Sequence, residues 1–148
     1  MKEIERKFLV RDESVFQNCR FDQIQQSYLF NEQNRSLRIR IKNNLAFMTI
    51  KGNQIGMTRD EFEYQIPIDD ARQIIERFDL KLLSKKRYYL NVGNLTWEID
   101  VFDGKLSGLI VAEIEIPTEN FDFDIPDWVG EEVTFDSRYL NAELFKKL

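Results

Sequence analysis

The chain has 148 residues, 43% of them hydrophobic, and a net charge of −5. That length fits one domain, residues 1–148, able to bury a core without cross-links. The acidic balance weighs against nucleic acid as a partner, and no apolar run reaches the length of a signal segment or a membrane span, so no membrane association is expected.

Taken in chain order, the pattern is rich in strands. Alternation and β-branched or aromatic residues predict strands over 3–10, 24–30, 36–42, 46–51, 58–67, 85–92, 95–102 and 109–116. Turn chemistry fits at 31–34, at Asn43-Asn44, at 52–56 and at Gly93-Asn94. Such short connections imply antiparallel hairpins. A short helix is expected near 13–18. A second helix, capped by Asp69 or Asp70, would carry Ala71, Ile74, Ile75, Phe78 and Leu82 on one face. A third would run over about 137–147 with Leu140, Leu144, Phe145 and Leu148.

Residues two apart on a strand share a face. Applied strand by strand, that parity groups Glu3, Glu5 and Lys7; Arg38, Arg40 and Lys42; Thr49 and Lys51; Arg59, Glu61 and Glu63; Lys85 and Arg87; Glu98 and Asp100; and Glu113 and Glu115. The opposite faces are mainly apolar. For any one strand, a wet outer face explains this alternation. Across the set, the charges sort into acidic and basic groups with few neutral polar residues among them, which a wet face does not require. About eight such strands can close into a barrel without free edges. Charges lining its inside are costly unless a charged ligand occupies it. Arginine and lysine suit phosphate oxygens, and paired carboxylates suit hard divalent cations.

Two absences narrow the chemistry. One cysteine, Cys19, excludes a disulfide framework and suits a reducing cytoplasm; it reads as an incidental thiol. There is no histidine, so the commonest general base and transition-metal ligand is missing. Any metal must sit on carboxylates, which favours Mg²⁺ or Mn²⁺, and water is the simplest nucleophile.

The opening Glu3-Ile4-Glu5-Arg6-Lys7 resembles the Glu-x-Glu-x-Lys signature of the CYTH superfamily, the triphosphate tunnel metalloenzymes. Later blocks resemble that family in order: Arg38-x-Arg40, Thr49-Ile50-Lys51, Glu61-Phe62-Glu63-Tyr64, Lys85-x-Arg87-Tyr88, Trp97-Glu98-Ile99-Asp100 and Ala112-Glu113-Ile114-Glu115. The tail from Trp128 to Thr134, then Arg138 to Asn141, is similar to the end of the short bacterial members. The resemblance spans essentially the whole chain. It implies an α+β fold: an eight-stranded antiparallel closed β-barrel, or triphosphate tunnel, with a charged interior and helices packed outside.

The resemblance also implies roles. Glu5 and Glu115 would hold the metal that grips the phosphates, and Glu3 and Glu113 a second ion that polarises water. Glu61, Glu63 and, more weakly, Asp100 and Glu98 would complete these shells; the alternative for Asp100 and Glu98 is pairing with tunnel arginines. Lys7, Arg38, Arg40, Lys51, Lys85 and Arg87 would cradle the triphosphate. Lys7, Lys51 and Lys85 are the candidate catalytic lysines, with Lys7 or Lys51 able to orient or deprotonate water. Tyr28 is either a substrate contact or a packing residue, and Tyr139 either covers a tunnel mouth or docks the last helix. Arg59 and Lys42 fall to the rim. The expected reaction is hydrolysis of inorganic triphosphate to pyrophosphate and phosphate with Mg²⁺ or Mn²⁺. Alternatives are nucleoside or thiamine triphosphate hydrolysis, cyclisation of ATP, and non-catalytic polyphosphate binding. A homodimer is implied by resemblance alone.

Overall fold

The computed structural model describes residues 2–32 and 34–148. Nine strands form: β1 (Lys2–Val10), β2 (Phe21–Glu32), β3 (Arg35–Lys42), β4 (Leu45–Lys51), β5 (Thr58–Ile66), β6 (Leu83–Val92), β7 (Leu95–Phe102), β8 (Ile110–Glu115) and β9 (Val129–Glu132). Two α-helices, α1 (Ile68–Arg77) and α2 (Asn141–Phe145), complete the regular structure. No helix among the described residues is long and apolar enough to cross a membrane.

The strand order around the sheet is β5-β4-β3-β2-β6-β7-β8-β1, and β5 pairs back to β1. The sheet therefore closes into an eight-stranded antiparallel barrel. Closure depends on β1 dividing its length between partners. Residues 2–4 pair with β5, Glu5 to Leu9 with β8, and Phe8 and Val10 with the extra strand β9. In this ring β2 stands four strands from β1 in either direction, so the two face each other across the lumen.

The eight expected barrel strands all form. β2 is longer at both ends than expected and so brings Asp22 into the barrel wall. β9 carries only four residues, Val-Gly-Glu-Glu, too short to show an alternation. Asn43 and Gly93 take positive φ (55° and 62°), as their tight turns require. The turn expected at 31–34 includes position 33, which lies outside the described residues.

Three apolar cores hold the barrel. On the outer face of β1, β7 and β8, Phe8, Trp97, Ile99, Ala112 and Ile114 pack with Phe16 and with Trp128 and Val129 of the returning chain. α1 covers β3 and β4, where Ala71 meets Ile39, Ile41 and Ala46. The third core lies inside. Leu83, Phe102 and Val111 share the inward parity of Lys85, Asp100 and Glu113, and they bury Leu144 of α2. One end of the barrel is thus stoppered by an apolar floor. α2 seats in that end, whereas the sequence placed every helix outside.

All three helix expectations need correction. α1 begins after Pro67 with no side-chain cap, and Asp69 and Asp70 sit in its first turn, where they complement the helix dipole. It stops at Arg77, and Asp79 follows with φ of 50°. Phe78 and Leu82 consequently fall outside it and are exposed. The expected helix over 137–147 is broken at Leu140, whose ψ of 136° is extended; a 3₁₀ turn, Ser137–Tyr139, precedes the break and α2 follows it. Near 13–18 only the 3₁₀ turn Glu13–Val15 forms, with Asp12 accepting from the Ser14 amide.

Candidate active site

Pleating delivers the sorted charges to one lumen. Register places Glu3 opposite Arg59, Glu5 opposite Glu115 and Lys7 opposite Glu113. Glu98 also lies opposite Glu113, and Arg87 opposite Asp100. On the far wall Arg38 faces Thr49 and Tyr28, while Lys51 faces Glu61. Lys7, Arg38, Lys85, Arg87, Asp100 and Glu113 are buried. Arg40, Lys51, Glu3, Glu5 and Glu61 are half-buried, and Glu63 and Glu115 are exposed.

The innermost layer is an ion network. Lys85 Nζ donates to Asp100 Oδ2 at 2.6 Å and to Asn141 Oδ1 at 3.3 Å. Arg87 Nε and Nη2 grip the same carboxylate at 2.7 and 2.8 Å, and its Nη1 reaches Glu98 at 2.9 Å. Both Asp100 oxygens are therefore occupied. Asp100 and Glu98 thus pair with tunnel cations in this structure, the alternative expected for them. Burial would raise the Asp100 carboxyl, but Arg87 and Lys85 hold it below its usual range. Burial, with Arg87 and Arg40 close by, pulls Lys85 down to about 7 despite Asp100.

Next comes a rank of carboxylates. Glu3 accepts from Lys51 Nζ at 3.0 Å. Its carboxyl would be raised by burial, yet Lys51 and hydrogen bonds with Glu5 and Glu61 bring it down to about 2. Glu5 is pushed well up by burial and by Glu113 and Glu3. Burial would raise Glu113 too, but Lys7, Arg87 and Lys85 keep it low. Glu61 is raised, by burial first. Hence Glu61, Glu3, Glu5 and Glu113 form a contiguous rank of hydrogen-bonded carboxyls.

Lys7 sits where rank and network meet. Its Nζ is 3.4 Å from Glu113 and donates to the Tyr139 carbonyl at 3.0 Å. Burial would lower its pKa, but Glu113, Glu5 and Asp100 raise it. Acids rather than like charges thus surround Lys7. Tyr139 meets the tunnel through that carbonyl. Tyr28 packs as one of its two readings expected, its ring 5.1 Å from that of Phe145, and it also lines the space above α2.

Several site residues were missed or undervalued in the sequence. Arg59 lines the cavity with Glu3, Glu5, Lys7 and Lys51, and its Nη2 donates to Gln54 at 3.3 Å. Thr49, fully buried, accepts from Arg38 and donates to Glu63. Asp22 accepts from the Tyr89 hydroxyl at 2.7 Å and from Asn43 at 2.8 Å. Gln26 is fully buried and accepts from Arg40 Nε at 3.3 Å. Only Arg59 and Thr49 had the parity signal; Asp22 lay outside the expected strand, and Gln26 shares parity with apolar Ile24.

Among the described residues, no three carboxylates converge on one point as a ready metal cage. The donor set nevertheless suits a hard cation. Four neighbouring carboxyls, with Glu5 pushed well up by burial and by Glu113 and Glu3, are a like-charge cluster that a divalent ion relieves.

A closed barrel with buried cations and a rank of acids defines a polyanion-binding tunnel with capacity for a divalent metal. The chain belongs to the CYTH family: the CYTH domain model matches residues 1–147. It is 42% identical to an inorganic triphosphatase of Acetivibrio thermocellus over 146 residues, covering 98% of this chain and 94% of that one. It is 37% identical to an inorganic triphosphatase of Nitrosomonas europaea, covering 97% of each. The crystal structure of the inorganic triphosphatase NE1496 superposes with a TM-score of 0.70 at 34% identity, covering 96% of this chain and 93% of that one.

Proposed function

We propose that this protein hydrolyses inorganic triphosphate to pyrophosphate and phosphate, with Mg²⁺ or Mn²⁺ as cofactor. The observation that carries the reading is a charge imbalance. Lys7, Arg38, Arg40, Lys85 and Arg87 meet near the closed end of the lumen, where Asp100, Glu113 and Glu98 are the carboxylates paired with them, leaving the cations in excess. Such an excess of half-buried and buried cation calls for a polyanion. Two relatives that match nearly the full length are named inorganic triphosphatases.

In this reading the cations hold the phosphate oxygens and neutralise charge as the phosphoanhydride bond breaks. Asp100 fixes the heads of Lys85 and Arg87, so they need not reorganise. Glu3, Glu5, Glu61 and Glu113, joined at the opening by Glu63 and Glu115, are the residues that would hold divalent metal. When bound, the metal supplies Lewis acidity and activates water. Lys7 stays protonated and donates to a bridging or terminal oxygen. Lys51, already on Glu3, sits between the acids and the phosphate, where it can orient the attacking water.

Phosphate release is to be measured with tripolyphosphate, ATP and thiamine triphosphate, each with Mg²⁺, with Mn²⁺ and with chelator. Preference for tripolyphosphate supports the reading. Cleavage of an organic triphosphate at higher kcat/KM, or formation of cyclic AMP, replaces it with a nucleotide or thiamine reaction. No cleavage with either metal overturns it.

A further inference from the structure

Opposite the acidic wall, β2 offers the lumen a wall with no cation: Asp22, Ile24, Gln26 and Tyr28. Gln26 stands out there. Its side chain is fully buried, directly between Arg40 of β3 and Leu83 of β6 in the register, level with the Leu83 edge of the apolar floor. Its carbonyl oxygen accepts from Arg40 Nε at 3.3 Å. Its amide nitrogen is buried and has no hydrogen-bond partner among the described residues.

That orphan donor is informative because of its surroundings. A buried amide hydrogen without an acceptor is costly, and folded proteins rarely keep one without a reason. Arg40 flanks Gln26 in the register, and Lys85 lies one inward pair along the β2–β6 ladder, opposite Ile24; both are donors without acceptor capacity. Arg38 Nε, on the neighbouring strand β3 opposite Tyr28, is likewise buried and has no hydrogen-bond partner among the described residues. Unsatisfied donors thus sit on two adjacent, paired strands. What satisfies them together is an acceptor-only group, and phosphoryl oxygens are of that kind.

We propose that Gln26 is a substrate-contacting residue: its amide nitrogen donates to a phosphoryl oxygen at the deep end of the tunnel while its carbonyl orients Arg40. This rests on the triphosphate reading and adds a polarity to it. The phosphoryl group deepest in the barrel lies against β2 and β3, across the lumen from Glu3 and Glu5 on β1. A neutral donor at that point reads oxygen geometry without adding charge to a cluster already crowded with cations.

Two substitutions separate the amide's functions. Gln26→Glu keeps an acceptor for Arg40 but replaces the donor with an anion; Gln26→Met keeps the length and removes both. Folding is checked by circular dichroism and thermal melting. Affinity for tripolyphosphate is measured by calorimetry in chelator, and KM and kcat with metal. The proposal expects Gln26→Glu to weaken binding and raise KM by at least about tenfold, with Gln26→Met intermediate and kcat changed less than KM. If Gln26 serves only to brace Arg40, Gln26→Glu binds and turns over like the parent protein, and that result overturns the proposal. Parent-level KM and affinity in folded Gln26→Met overturns it equally. Failure of the parent protein to bind or cleave tripolyphosphate overturns the functional reading itself, a result distinct from both.

Discussion

Arg87 and Asp100 face each other across the β6–β7 ladder and share two hydrogen bonds, at 2.7 and 2.8 Å, with Lys85 on the same carboxylate at 2.6 Å. One buried anion thus steadies two buried cations. Asp100→Asn removes the anion that Lys85 and Arg87 share and leaves Arg87 with Glu98 alone, so unfolding free energy should fall by about 3–5 kcal/mol in a denaturant titration. Saturating tripolyphosphate should restore more stability to Asp100→Asn than to the parent protein.

Glu5 poses the opposite case. Its carboxyl is crowded by Glu113 and Glu3, so Glu5→Gln relieves repulsion in the metal-free protein. Thermal melting in chelator should show equal or higher stability for this variant. Turnover with Mg²⁺ should fall by about a hundredfold or more, because a ligand to a hard cation has become a neutral amide. Glu115→Gln, at an exposed site, should cost less.

Lys7 couples the tunnel to the C-terminal segment through the Tyr139 carbonyl. Lys7→Met should raise KM by about tenfold or more through the lost phosphate donor. It should also speed amide exchange across α2, read by hydrogen–deuterium mass spectrometry. Leu144→Ala tests the same stopper through packing: Leu144 is fully buried against Leu83, Phe102 and Val111, and the substitution should cost about 2–4 kcal/mol.

A pH test sits outside the tunnel. Arg6 and Glu132 form a bidentate pair at 2.8 and 2.6 Å. The hydrogen bond from Arg6 holds the Glu132 carboxyl below its usual range. A carboxyl lowered in the folded state stabilises above its unfolded pKa, and that gain disappears as pH falls through the folded value. Glu132→Gln should cost about 0.5–1 kcal/mol near neutral pH, a figure that allows for solvent screening at this partly exposed pair. The difference from the parent should vanish in acid below the carboxylate range.

Most of the barrel was legible because pleating is a period-two code. Glu3, Glu5 and Lys7 alternate with Ile4, Arg6 and Phe8, and one parity choice then assigns a whole wall. The code failed where identity and parity disagree. Leu83, Phe102 and Val111 point inward although apolar, because α2 supplies them with an apolar partner from the other end of the chain. Gln26 was lost among apolar neighbours on its own strand. The break at Leu140 leaves no mark in a helical pattern that runs through it. Asp100 was ambiguous in sequence because a carboxylate serves metal and arginine equally well; only the positions of Lys85 and Arg87 decide between them.

The account stands most directly on the products of one reaction. Phosphorus NMR of tripolyphosphate incubated with the protein should show pyrophosphate and phosphate rising in equal amounts with Mg²⁺ or Mn²⁺, and neither in chelator. Tripolyphosphate left intact with both metals, or cleaved as fast in chelator, would contradict it.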